Sequence, residues 1–227
     1  MKLLICKQGT PEWLAARAGA ITASCFSDAV GVLKRNSGAK KVGDPTDASD
    51  KYAVNIAIER ISGKPYGEPP KAWVLDRGHE MEARARIAYE SRTGLMAEES
   101  GIVKTDDDWF GYSTDGFVDD DGLIEIKCPV DSLKIMAMLR TGDTEEYDHQ
   151  IQGGLWLTGR QWVDLIMYVP DLETVGNDLY VKRIYRNEEF IEGLERDLML
   201  FRSTVMTYET SLRRPLASNA DLLRQAA

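Results

Sequence analysis

The stretch Gly111–Pro129, GYSTDGFVDDDGLIEIKCP, constrains this chain more than any other, because apolar positions flank an acidic segment that ends in Asp-Gly. Two such runs around an Asp-Gly end predict a β-hairpin. Asp115 falls on the first strand, and Glu125 and Lys127 fall on the second among Leu123, Ile124 and Ile126. Successive strand side chains point to opposite faces, so Glu125 and Lys127 share one face and a hairpin can set Asp115 beside them. Two carboxylates and one ammonium on a common face make an oxygen-ligand metal site, with the carbonyl of Ile126 as a further donor.

Magnesium suits such a site, since it takes a few carboxylates and completes its shell with water and phosphate oxygens. Two such ions about 3.5–4 Å apart clamp the attacking and leaving oxygens in phosphodiester hydrolysis. Lys127 would orient water and offset negative charge; it would act as a base only if its pKa were strongly lowered. The competing reading is that Glu125 and Lys127 form the solvent face of an amphipathic strand, and the tripeptide Glu-x-Lys alone does not decide between them. An EF-hand loop does not fit, because the Asp-x-Asp-x-Asp-Gly spacing is missing.

Composition narrows the classes. With 227 residues and 43% apolar content, one domain with a sizeable core is expected over residues 1–227. The net charge of −9 argues against a protein that coats nucleic acid, though not against an enzyme with basic residues confined to a channel. Cys6, Cys25 and Cys128 are far apart, and His79 and His149 are the only histidines, so disulfide frameworks and zinc sites are not expected. A cytoplasmic protein with no membrane span follows.

Thr10-Pro11-Glu12 opens a first helix, and Thr22-Ala23-Ser24 starts a second through Phe26, Val30 and Leu33. Residues 34–51 read as an exposed loop, with Lys34, Arg35, Lys40 and Lys41 as a DNA-gripping candidate. Helices are predicted over 52–61, 72–93 and 145–157, and Asn187 caps a last long one with a stripe from Phe190 to Tyr208. Strands are predicted over 101–104, 109–118, 123–127, 162–169 and 179–185. The whole reads as an α/β fold with a central mixed sheet flanked by helices: a helical part at 10–70, a core at about 72–210 and a loose tail at 215–227.

Asp115, nine residues and then Glu125-Ile126-Lys127 resemble the motif of the PD-(D/E)XK nuclease superfamily. Four longer words occur in order: EWLAARAGAITAS (Glu12–Ser24), RGHEMEARAR (Arg77–Arg86), STDGFVDDDGLIEIKCP (Ser113–Pro129) and YDHQIQGGLWLTG (Tyr147–Gly159). Together they resemble the phage λ exonuclease family, the alkaline exonucleases or YqaJ-type viral recombinases, over most of the chain. The resemblance implies a restriction-endonuclease-like core and Mg2+-dependent, ATP-independent 5′→3′ exonuclease action on one strand of linear duplex DNA. It further implies two Mg2+ ions per site with Mn2+ able to substitute, a preference for 5′-phosphorylated ends, and a homotrimer ring around the DNA. A phage-type single-strand-annealing protein would take the exposed 3′ strand, in a bacterial host cytoplasm and from a phage or prophage gene.

The same resemblance assigns roles by position. Asp115, Glu125 and Glu82 would be metal ligands, Lys127 the water-orienting catalytic group, and Tyr147 and Gln150 neighbours on a helix face beside the site. Arg17, Ser24 and Ser113 would hold the terminal 5′-phosphate, a fork of donors with two hydroxyls. Leu75, seven residues before Glu82, is a candidate strand-separating wedge, and Trp13 a core anchor rather than a stacking platform. Asp119, Asp120 and Asp121 would have to lie away from the DNA path. Two other functions remain open: an endonuclease or junction resolvase on the same fold, and a non-catalytic DNA-end or recombinase-binding module.

Overall fold

The computed structural model describes residues 1–67 and 72–214, less the side chains of 72–77 and 79. The Leu75 side chain and the tail at 215–227 therefore lie outside the described residues. In order, the chain forms β1 (Lys2–Leu4), α1 (Pro11–Arg17), β2 (Ile21–Thr22), α2 (Phe26–Ala29), α3 (Asp47–Ser62) and α4 (Ala72–Thr93). Then come β3 (Ile102–Lys104), β4 (Phe110–Tyr112), β5 (Gly116–Val118), β6 (Gly122–Lys127), α5 (Ser132–Thr141) and α6 (Asp148–Thr158). β7 (Trp162–Tyr168), β8 (Leu179–Tyr185) and α7 (Glu188–Leu212) complete the described elements.

The α/β class with mixed strands is as expected, but the strands divide into two four-stranded sheets, ordered β1-β3-β4-β2 and β5-β6-β7-β8. The division falls inside the strand expected over 109–118. The chain leaves the first sheet after Tyr112 and joins the second at Gly116, so Ser113, Thr114 and Asp115 form the crossover. Thr114 anchors it: the side chain is buried, and Oγ1 donates to the Ile124 carbonyl at 2.8 Å. β5 and β6 then make the predicted hairpin, pairing Gly116 with Ile124 and Val118 with Gly122. Asp119 takes the left-handed conformation (φ 46°) in the turn, one of the few non-glycine types that tolerate it. Arg160 clamps the same turn by donating to the carbonyls of Asp119 and Gly122 at 2.8 and 2.7 Å.

The second sheet is covered on both faces. On one, α4 packs Met81, Ala85 and Tyr89 against Ile124, Ile126 and Ile166. On the other, α6 and α7 cover Leu123, Val163 and Leu165. The α7 stripe is the one read from sequence, with Ile191, Leu194, Leu198, Phe201 and Val205 buried. Burying each of these large apolar side chains contributes about 1.5–3 kcal/mol. Asn187 caps α7, its Oδ1 accepting from Phe190 N at 3.1 Å.

Glycines in α6 set how closely α2 and the first sheet approach. A Cβ at Gly153 would fall 2.4 Å from the Phe26 ring, and one at Gly154 would fall 2.6 Å from the Tyr112 ring. Glycine inside a helix costs about 1 kcal/mol relative to alanine, which this contact offsets.

Three local expectations need correction. The helix expected from Thr22 to Leu33 is only a 3-10 turn (Ala23–Cys25) and the four-residue α2, so Ser24 sits in a turn and caps no helix. The exposed loop is shorter than 34–51, because α3 begins at Asp47, and it is pinned: Lys40 Nζ donates to Asp47 and Asp50, each at 2.7 Å. α5 was not anticipated, although Asp131 caps it by accepting from Leu133 N at 2.9 Å.

Candidate functional site

A cavity of about 170 Å³ opens where the crossover meets the end of β6, the α1–α2 segment, α4 and α6. Arg17, Ser24, Glu82, Ser113, Asp115, Glu125, Ile126, Lys127 and Gln150 all line it. Nine residues singled out from four separated sequence words thus face one space. The aspartates at 119–121 are not among its lining residues.

Glu125 is the centre of the hydrogen-bond network. It is 3% exposed, and Oε1 accepts from Lys127 Nζ at 2.9 Å and from Gln150 Nε2 at 2.6 Å. Oε2 accepts from the Tyr112 hydroxyl at 2.8 Å. Gln150 closes the triangle, since its Oε1 accepts from Lys127 Nζ at 3.1 Å. Strand alternation puts Glu125 and Lys127 on one face, as expected, and that face is interior rather than solvent. Burial works against the ammonium of Lys127, but Glu125 and Asp115 outweigh it and its pKa stands raised. In this arrangement Lys127 Nζ donates to both Glu125 and Gln150.

Asp115 is held by its main chain and side chain together. Its Oδ2 accepts from Ile126 N at 2.6 Å, and its N donates to the Ile124 carbonyl at 3.2 Å. Arg86, one turn beyond Glu82 on α4, donates to the Asp115 carbonyl and, at 3.1 Å, to that of Ala97. Burial, then Glu125 and Glu82, push the Asp115 carboxyl well above the usual range. Gathering carboxylates this way is costly unless a cation joins them. The donor set (three carboxylates and the main chain at Ile126) is the hard-oxygen chemistry of Mg2+ and Mn2+. Among the described residues, no three acidic, histidine or cysteine side chains already stand close enough to cage an ion.

The other end of the cavity is cationic and hydroxylic. Arg17 Nη2 donates to Thr22 Oγ1 at 3.1 Å and Ser24 Oγ at 3.4 Å. Its guanidinium lies 4.3 Å from the centre of the Trp13 ring, and Trp13 Nε1 donates to Ser113 Oγ at 2.9 Å. Trp13 is thus not a core anchor. It is a partly exposed plate that fixes both Arg17 and Ser113.

Tyr147 lies outside the lining. Its ring centre is 5.4 Å from Lys127 Nζ, it packs on the main core, and burial pushes its hydroxyl up to about 12. Sequence reasoning missed Gln8, Thr22 and Tyr112, which also line the cavity. Gln8 Nε2 donates to the Thr114 carbonyl at 2.9 Å, tying the N-terminal segment to the crossover. Nothing in the local sequence marked Gln8; Tyr112 adjoins Ser113 but reads as an ordinary strand aromatic.

The family model of the YqaJ-like viral recombinase domain matches residues 12–161. Among solved structures, the chain is similar to an alkaline exonuclease, LHK-Exo, from Laribacter hongkongensis, at 30% identity and a TM-score of 0.76, covering 90% of this chain and 97% of that one. The complex of LHK-Exo with dAMP matches to the same degree. A phage related exonuclease from Haemophilus somnus 129PT shares the fold, with a TM-score of 0.61 at 19% identity over 85% of this chain and 94% of that one. No curated protein matches the sequence.

Proposed function

The chain belongs to the YqaJ-like viral recombinase family, and from that premise we propose that it is a Mg2+-dependent, ATP-independent 5′→3′ exonuclease. Its substrate would be linear duplex DNA with a 5′-phosphorylated end, and its product a 3′ single strand for recombination by annealing. One observation carries this reading: the Arg17–Ser24–Ser113 cluster and the Asp115–Glu125–Lys127 cluster share a single cavity. Ser113 and Asp115 are two residues apart, so their Cα atoms are at most about 7 Å apart. An end-binding group and a cleavage group at that separation act on neighbouring parts of one strand.

In this reading Arg17 presents its planar fork to the terminal phosphate, with the Ser24 and Ser113 hydroxyls beside it. Trp13 keeps that fork oriented. Glu82, Asp115, Glu125 and the Ile126 carbonyl would hold the metal, which when bound supplies Lewis-acid stabilisation of the reacting phosphate. Lys127 and Gln150 orient the attacking water and offset charge gathering on the phosphoryl oxygens. Water oxygen bonds to phosphorus, the bond to the 3′ oxygen breaks, and a proton from the water ends on that oxygen as the new 3′ hydroxyl. A nucleoside 5′-monophosphate leaves, and the next nucleotide keeps a 5′-phosphate. Each turnover therefore regenerates the end that Arg17 recognises. The dAMP bound to LHK-Exo is such a monophosphate.

Residues 1–227 would act as one nuclease domain within a homotrimer ring, supplying 3′ strands to a phage-type annealing protein in a bacterial cytoplasm. Among the described residues no helix is long and apolar enough to cross a membrane. The deciding assay compares linear duplex bearing 5′-phosphate or 5′-hydroxyl with covalently closed circles, with and without Mg2+, alongside the native mass. Expected is metal-dependent release of mononucleotides from 5′-phosphorylated ends and a trimer mass. Cutting of closed circles would instead make the protein an endonuclease.

A further inference from the structure

We propose that Tyr112 is a positioning residue for the metal-ligating carboxylate of Glu125, an inference that rests on the function proposed above. Tyr112 ends β4 in the first sheet, whereas Glu125 lies in β6 of the second. The bond from the Tyr112 hydroxyl to Glu125 Oε2 therefore ties the two sheets together at the site. The phenol is 1% exposed, and no other contact of Glu125 Oε2 competes with it among the described hydrogen bonds. Lys127 and Gln150 both act on the opposite oxygen, Oε1.

A glutamate side chain has three rotatable bonds, and a ligand must keep one orientation if its metal is to bind tightly. Lys127 and Gln150 cannot supply that constraint alone, because each has its own task toward water and phosphate. Tyr112 has no such task. Its ring is rigid and is seated against Gly154, where a Cβ would come within 2.6 Å of the ring. Gly154 lies one turn beyond Gln150 on the same helix. Helix α6 thus delivers Gln150 to one carboxylate oxygen and leaves room for Tyr112 to reach the other.

Tyr112→Phe removes the hydroxyl and keeps the ring. Magnesium and manganese binding to the whole protein, measured by calorimetry without DNA, should weaken about 10- to 100-fold. The magnesium concentration giving half-maximal digestion of linear duplex should rise by the same factor, while circular dichroism and the 5′-phosphate to 5′-hydroxyl rate ratio stay at wild-type values. Loss of the bond to the buried carboxylate should lower the unfolding temperature without unfolding the protein. Gly154→Ala, which displaces the ring, should weaken metal binding in the same direction. Unchanged metal affinity in Tyr112→Phe overturns the inference whatever the rate does. A wild-type protein that binds neither metal overturns the metal reading of the site itself, and the inference with it. Wild-type binding without end-dependent digestion overturns the exonuclease reading alone, and the affinity comparison still decides the role of Tyr112.

Discussion

Two carboxylates lie buried in the second sheet, on neighbouring strands and opposite faces: Glu125 in β6 and Asp164 in β7, each 3% exposed. Each accepts a tyrosine hydroxyl, from Tyr112 at 2.8 Å and from Tyr89 at 2.7 Å. Each also meets a cation. Arg183, the register partner of Asp164 on β8, grips it through Nε and Nη2 at 2.8 and 2.7 Å. There the charges match one for one. Glu125 instead belongs to a cavity lined by three carboxylates, with Lys127 beside it and Arg17 at the far end. Burial and pairing are therefore common to a structural acid and a candidate catalytic one. What separates them is surplus negative charge facing a space that a cation and a phosphate can enter.

The largest expected effect tests that separation directly. Asp115→Ala and Lys127→Ala should each lower nucleotide release from linear duplex by more than about 10³-fold, with native circular dichroism. Asp164→Ala should leave the rate per folded molecule within a few-fold of wild type. Near-normal digestion by Asp115→Ala would erase the distinction between the two carboxylates.

Stability should show the reverse order. Asp164→Ala strands the Arg183 guanidinium and the Tyr89 hydroxyl and should cost about 2–4 kcal/mol in urea unfolding. Glu125→Gln keeps an acceptor and relieves repulsion with Asp115 and Glu82, so its cost should stay under about 1 kcal/mol. Equal losses would mean that Glu125, too, is chiefly structural.

At the cationic end, Arg17→Ala should reduce the preference for 5′-phosphate over 5′-hydroxyl ends about 10- to 100-fold, the scale of lost charge-assisted hydrogen bonds. Rates on 5′-hydroxyl ends should change little. A uniform loss on both kinds of end would place Arg17 in general DNA binding.

The smallest effect concerns a third buried acid. Asp178 accepts from Arg92 Nη2 at 2.9 and 2.8 Å, and those bonds hold its pKa below the ordinary 3.8. Its contribution is complete above the unfolded value and is lost as pH falls through the lower folded one. The Arg92 side chain is 46% exposed, so solvent screens the pair and its contribution should stay below about 1 kcal/mol. Asp178→Asn should flatten the acid limb of the stability curve and leave activity unaltered, which places Asp178 with Asp164. A change in activity would place it with Glu125.

Much of the fold was legible because long periodic segments report their own buried face. α4 and α7 appear where helical periodicity and the Asn187 cap put them, and β8 where its β-forming residues do. α5 was missed although Asp131-Ser132 is a plain start signal, because its Leu133, Met136 and Leu139 face solvent and only Met138 is buried in the helix. The expected long strand at 109–118 has continuous β-forming residues. Its break at Ser113–Asp115 depends on the buried Thr114 hydroxyl bonding Ile124, ten residues away. At the site, Asp115, Glu125 and Lys127 were legible from spacing, and Arg17, Ser24 and Glu82 from family resemblance. Gln8 and Tyr112 were not, since a lone glutamine or a strand tyrosine carries no signal of what it will touch.

The hairpin Gly116–Lys127 was therefore legible in the sequence alone: two strands, an acidic turn, and Glu125 and Lys127 on one face, whereas Asp115, expected on its first strand, lies in the crossover before it. Local alternation decides such things, because it depends only on neighbouring residues. Tertiary structure decided the rest. It split the first strand from the hairpin and turned Glu125 inward. It also brought Trp13 and Arg17 across about a hundred positions to Ser113. Those outcomes depend on which apolar face covers which, and on hydrogen bonds between distant segments, neither of which periodicity encodes.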